Sequence, residues 1–148
     1  MPEIHETPVH RVIYYSGINL MKHVFNDKAN GVTWLELQSA FRTYVELLKL
    51  YKPQLVLVDT RLFNFVLLKE MQEWINENVI KVLKEIRIKK WAAIVSPQFF
   101  SQVSIEQTME SNKRDEFESK YFDKEEDALE WLLSNHSTPQ ELEDIMKT

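Results

Sequence analysis

The sequence predicts a mixed α/β domain: a sheet of about five strands, opening with an antiparallel hairpin and continuing as parallel strand-helix units, with about four to five helices. Three observations carry this. Two β-branched and aromatic runs, residues 9–15 and 18–25, flank Ser16-Gly17 and read as paired strands. The run Leu55-Val56-Leu57-Val58 shows no polar alternation, as a strand covered by helices on both faces requires. Beyond it, strand and helix patterns alternate, and each strand-helix-strand unit favours a right-handed parallel crossover.

Taken in order, residues 1–8 read as an N-terminal arm, and Ser16-Gly17 as a two-residue hairpin connection. Asn30-Gly31 turns the chain. Thr33-Trp34-Leu35-Glu36 then matches a capping box, in which Thr and Glu satisfy free amides reciprocally at a helix start. Leu37, Ala40, Phe41, Tyr44, Leu48 and Tyr51 recur at helical spacing, with Glu36, Arg42, Glu46 and Lys49 largely off that stripe, until Pro53 ends the helix. After the central strand, Leu68, Met71, Ile75, Val79, Val82 and Ile86 mark a second helix, and residues 91–95 a short strand closed by Ser96-Pro97. Residues 99–112 read as a third helix and Tyr121-Phe122 as a final strand. Asp123 is the expected N-cap of a helix carrying Ala128, Leu129, Trp131 and Leu132, with Trp131 expected in the core. Thr138-Pro139-Gln140-Glu141 repeats the capping pattern for a short terminal helix over 138–148. With no internal repeat or low-complexity stretch, residues 1–148 read as one domain.

Composition narrows the function classes. At 148 residues, 44% of them apolar and only two of them glycine, the chain can bury one real core and fold alone. A formal charge of -5 and a pI near 5.4 weigh against nucleic-acid binding, which needs clustered cations to replace phosphate counterions. The one basic run, Arg87-Ile88-Lys89-Lys90, is short and reads as a solvated approach to a strand. The lack of cysteine rules out disulfides, thiolate metal sites and a cysteine nucleophile, and suits a reducing cytoplasm. The opening MPEIHETPVHRV has no apolar run long enough for a signal peptide or a membrane span. The expected location is therefore the cytoplasm.

Asp59-Thr60-Arg61 closes the central strand at its carboxyl end, where open α/β sheets place ligand crevices. An acid there also commonly binds loop amides. In an extended backbone Asp59 and Arg61 point to the same side, so the pair is expected to brace the loop. Asn64 is the nearest further polar side chain, and Ser96 and Phe99 lie just beyond the next strand. Because consecutive helix residues face different ways, one of Phe99 and Phe100 is expected to be exposed or to roof a crevice. A strict two-residue hairpin would set His10 opposite His23 on one face. Zinc normally takes at least three protein ligands, and the missing ones would have to come from remote parts such as His5 or Asp27, so no metal or other cofactor is expected. The four tryptophans at 34, 74, 91 and 131 read as core rather than as a ligand box.

Several stretches resemble the small STAS-like family, also called SpoIIAA-like, related in fold to bacterial anti-sigma-factor antagonists. They are the helix entry over 31–41, LVLVDTR at 55–61, EWINENVI at 73–80, KKWAAIVSP at 89–97 and YFDKEEDALEWL at 121–132. The likeness rests on their order and spacing and covers most of the chain. It implies a STAS-like mixed sheet used for docking partners or, in more distant relatives, for holding lipid or nucleotide. The antagonists use a phosphorylatable serine at the start of the helix after the central strand. Here that region reads Arg61-Leu62-Phe63-Asn64-Phe65-Val66-Leu67, without Ser or Thr, and Thr60 sits too early, so the switch is not carried over.

The expected function is accordingly a non-catalytic interaction or regulatory module, with an unknown protein partner and a homodimer left open. The alternative is a carrier of a small apolar molecule or lipid, using a crevice at the carboxyl ends of the central strands near Asp59, Ser96 and Phe99. An enzyme comes third, with Asp59 as its acid or base. No nucleophile motif, glycine-rich phosphate loop or metal signature supports it.

Overall fold

The computed structural model describes residues 2–101, 117–134 and 139–147, apart from the side chains of Pro139 and Glu141. A six-stranded sheet organises them: β1 (Glu3–Glu6), β2 (His10–Tyr15), β3 (Leu20–Phe25), β4 (Leu55–Asp59), β5 (Lys90–Ile94) and β6 (Glu118–Phe122), in that spatial order. β1, β2 and β3 pair antiparallel, whereas β3 to β6 are parallel. The helices are α1 (Trp34–Tyr51), α2 (Lys69–Ile75), α3 (Lys81–Glu85), α4 (Glu125–Leu133) and α5 (Pro139–Lys147). A π-helical turn, Asn76–Ile80, joins α2 to α3, so the second helical stripe of the sequence is one run with a wide turn inside it.

The expected class and the order of its elements hold. β4 is interior and buried from Val56 to Asp59, as its unalternated sequence requires. One face of the sheet, carrying Val12, Met21, Phe25, Val56 and Val58, packs against Leu37, Phe41, Tyr44 and Leu48 of α1 and against Val79, Val82 and Leu83. The other face, carrying Leu20, Leu57, Ala92, Ile94 and Phe122, packs under Ala128, Leu129, Leu132 and Leu133 of α4 and Ile145 of α5. The capping box forms: Thr33 Oγ1 accepts the Glu36 N–H at 3.1 Å, and Glu36 Oε1 accepts the Thr33 N–H at 2.9 Å. α1 ends on Lys52, in the left-handed region at φ 47°, directly before Pro53.

Several details differ from the sequence reading. The hairpin connection is four residues, 16–19, since Tyr15 pairs with Leu20. Asn19 adopts φ 51°, which asparagine tolerates, and its carbonyl accepts the N–H groups of Gln54 and Leu55. The turn is thus set by a tie to the start of β4, invisible to local pattern. Residues 3–6, read as part of an arm, form an edge strand whose four residues are all exposed. A strand open on both faces shows no apolar alternation, and its glutamates suit an unpaired edge. β6, the opposite edge, likewise begins at exposed Glu118, three residues before Tyr121. Lys124, not Asp123, holds the N-cap of α4 without a side-chain hydrogen bond, while Glu125, Glu126 and Asp127 meet the positive end of that helix.

Trp131 is half-buried rather than enclosed, its ring against Phe122 and under the Lys90 ammonium at 4.9 Å. The third expected helix begins at Pro97 and is helical to Ser101, with Ser96 Oγ accepting the Phe99 N–H at 3.3 Å. Its remainder, and the expected cap at Thr138, lie outside the described residues.

Candidate functional site at the carboxyl ends of the parallel strands

Asp59 ends β4 in register with Ile94 of β5, and Ile94 is in register with Phe122 of β6. Asp59 is buried, 8% exposed as a residue, and its carboxylate is met by its own loop. Oδ1 accepts the Arg61 backbone N–H at 3.1 Å and Nε at 3.0 Å, and Oδ2 accepts Nη2 at 2.7 Å. This two-pronged contact uses the planar fork of arginine against both carboxylate oxygens. The hydrogen bond to Asp59 raises the Arg61 pKa; partial burial opposes it, and the charges of Asp59 and Glu125 add to it.

The pair belongs to a longer chain of charge. Arg61 Nη2 lies 3.6 Å from Glu125 Oε1 at the start of α4, and Glu125 Oε2 lies 2.8 Å from Lys22 Nζ on β3. The Lys22 contact is a close ion pair rather than an aligned hydrogen bond. Lys22 is buried and also donates to the Ile145 carbonyl of α5 at 3.0 Å. Two acids and two bases thus neutralise one another between sheet and helices. Sequence reasoning missed Lys22 and Glu125, although a lone lysine inside the apolar run LMKHVF is a signal, since a buried ammonium requires a partner.

Thr60 Oγ1 and its backbone N–H both donate to the Ile94 carbonyl, at 3.0 and 2.9 Å. Asn64 is tied elsewhere: its N–H donates to Asn30 Oδ1 at 2.6 Å, while Asn30 Nδ2 donates to the Leu62 carbonyl at 2.9 Å. Ser96 caps the helix that follows it, and Phe99 is exposed with its ring edge-on to Tyr121 at 6.1 Å. Of the six residues singled out, Asp59, Thr60 and Arg61 form one unit. Among the described residues no hydrogen bond joins that unit to Asn64, Ser96 or Phe99.

The loop from Arg61 to Leu68 has an alternation of its own. Phe63, Phe65 and Leu67 turn inward, with Phe63 packed on Phe25 at 4.5 Å and Phe65 against Trp34 at 6.5 Å. Leu62, Asn64, Val66 and Leu68 turn outward, Val66 being 74% exposed. Among the described residues, the main-chain N–H and C=O groups of Phe65 and Val66 make no hydrogen bond. Beyond the turn at Arg61-Leu62, which the Phe63 N–H closes on the Thr60 carbonyl at 3.0 Å, residues 63–68 form an anchored strip whose outward side chains are largely apolar.

His10 and His23 do meet, on the face under α1. The four-residue turn sets His10 opposite Phe25 and Val12 opposite His23, so the imidazoles are diagonal neighbours, with His10 Nδ1 2.8 Å from His23 Nε2. Both are buried, His23 stacking on Tyr44 at 4.1 Å. Desolvation, with a smaller contribution from His5, pushes the His10 pKa down to about 4; desolvation and then His10 lower that of His23. Burial likewise pushes the Tyr44 phenol up. Among the described residues no three His, Cys, Asp or Glu side chains gather as a metal site, and no helix is long and apolar enough to cross a membrane. Comparisons with protein-family models, curated proteins and solved structures returned no match.

Proposed function

We propose that the chain is a non-catalytic interaction or regulatory module of STAS-like type, without a phosphorylatable serine after its central strand, and that it docks an extended segment of a protein partner along residues 62–68. The outward strip carries this reading. The polar groups at the carboxyl ends of the strands are engaged internally: Arg61 on Asp59, Thr60 on Ile94, Lys22 on Glu125 and Ile145. The apolar side chains of Leu62, Val66 and Leu68 face outward, and the main-chain groups of Phe65 and Val66 between them are open, whereas the carbonyls of Leu62, Leu67 and Leu68 are taken by Asn30 and Gln72. An added strand would find hydrogen-bonding groups for its backbone and apolar ground for alternate side chains, as in strand-addition recognition. The helix after β4 begins at Lys69, and residues 61–68 offer no hydroxyl, so the proposed docking does not depend on phosphorylation there.

A display library of random peptides screened on the immobilised full chain tests this. Extended sequences with apolar residues at alternate positions should be enriched. Val66→Asp should weaken their binding at least tenfold while leaving the melting temperature nearly unchanged, because the side chain is exposed. No enrichment, or enrichment indifferent to Val66→Asp, would remove the docking strip from consideration.

A further inference from the structure

At the other end of α1, a cavity of about 120 Å³ opens between its last turn and the hairpin side of the sheet. It has room for several water molecules, and hence for a ligand of a handful of heavy atoms, well short of the roughly 300 to 1,000 Å³ of a drug-sized pocket. Its lining includes the rings of Tyr14 and Tyr51, the carboxylate-bearing Glu3, His5, and the apolar Met21 and Leu47. Tyr14 and Tyr51 stack at 4.5 Å with 22° between their planes. The Tyr14 hydroxyl is held by Asn19 Oδ1, so the ring is fixed in place. Glu3 is the cross-strand partner of Tyr14, which sets an acid on exposed β1 beside the aromatic pair.

Three features of this cavity favour positive charge and come from different elements, set against the imidazole of His5 in the same lining. Tyr14 and Tyr51 cover one face of each other, and the outer face of the stack attracts a cation through the ring quadrupole. A carboxylate stands at the rim. Tyr51 is the last residue of α1, where the helix presents the negative end of its dipole, and the following Lys52 does not line the cavity. The apolar floor of Met21, Val12 and Leu47 suits methyl or methylene groups rather than a fully hydrated ion. The geometry points to a binding site for a small organic monocation, an alkylammonium or trimethylammonium group seated on Tyr14 and Tyr51 and balanced by Glu3. An anion would meet the carboxylate and the helix end, and a larger ligand would not fit. The site shares no residue with the docking strip, so the two proposals stand or fall separately.

Choline and its uncharged isostere 3,3-dimethyl-1-butanol share shape and differ in charge, which makes them the deciding probes. In an NMR titration of the full chain, choline should shift the ring resonances of Tyr14 and Tyr51 and bind at least fivefold more tightly than the isostere. Glu3→Gln should weaken choline at least threefold and leave the isostere unaffected. Tyr51→Leu, which keeps apolar bulk but removes the ring face, should abolish the preference for charge. Equal binding of the two probes would show a merely apolar cavity and overturn the proposal. So would the absence of shifts at Tyr14 and Tyr51, or a charge preference that survives Tyr51→Leu.

Discussion

Lowering the pH from 7.5 to 5 should destabilise this protein through the buried His10 and His23 pair. The unfolded chain takes up a proton on each histidine as pH falls through about 6.5, whereas the folded His10 resists until about 4. A base whose folded pKa is depressed contributes stability that is complete above its unfolded value and lost as pH falls toward its folded one. For His10 alone the loss reaches about 2 kcal/mol at pH 5 and about 3 kcal/mol below pH 4, from the ratio of the two proton-binding polynomials. His23 acts in the same direction, since desolvation lowers it too. The rings around the pair, Phe25, Phe41 and Tyr44, supply no counter-charge, and His5 adds to the penalty. Urea unfolding followed by tryptophan fluorescence at pH 7.5, 6 and 5 measures the slope. The double variant His10→Leu/His23→Phe removes both titrating groups without orphaning either, and its stability should change much less over that range. A wild-type stability flat between pH 7.5 and 5, or an equal slope in the double variant, would refute the reasoning.

Arg61→Ala should cost about 1 to 2 kcal/mol in thermal or urea unfolding, because Asp59 loses two side-chain donors but keeps the backbone N–H of residue 61, and because Arg61 is 42% exposed. Unchanged stability with lost peptide binding would instead assign Arg61 to recognition. Lys22→Met should cost about 2 to 3 kcal/mol by leaving the largely buried Glu125 with only its longer contact to Arg61 at 3.6 Å, and adding Glu125→Gln should restore part of that; a double variant no better than the single would count against the ion pair. Val58→Asp should cost about 3 kcal/mol or more, since it buries a carboxylate in the middle of the sheet beside the desolvated imidazole of His23; a normal melting temperature would show that position to be open to water.

What the sequence displayed and what it concealed follow one physical division. The central strand was legible because burial on both faces leaves an unbroken apolar run, and the start of α1 because Thr33 and Glu36 cap it from within three residues. β1 was not, because exposure on both faces erases the period-two signal. The hairpin loop was misjudged because its decisive bonds run from Asn19 to Gln54 and Leu55, beyond any local window. His10 and His23 still meet because the slip in register is two residues, which preserves the face while turning a direct pair into a diagonal one. The same division runs through the candidate site. Asp59 and Arg61 could be paired from their spacing, but Lys22 and Glu125 arrive from another strand and another helix and become neighbours only on folding. Their arrival alters the meaning of the site. A lone acid and base at a strand end invite a catalytic reading, whereas four mutually neutralising charges lock β3, β4 and α4 together, and Lys22 extends that lock to the last turn of α5. Under the docking proposal, recognition at that end of the sheet would fall to the outward apolar residues of the loop that Asp59 and Arg61 brace.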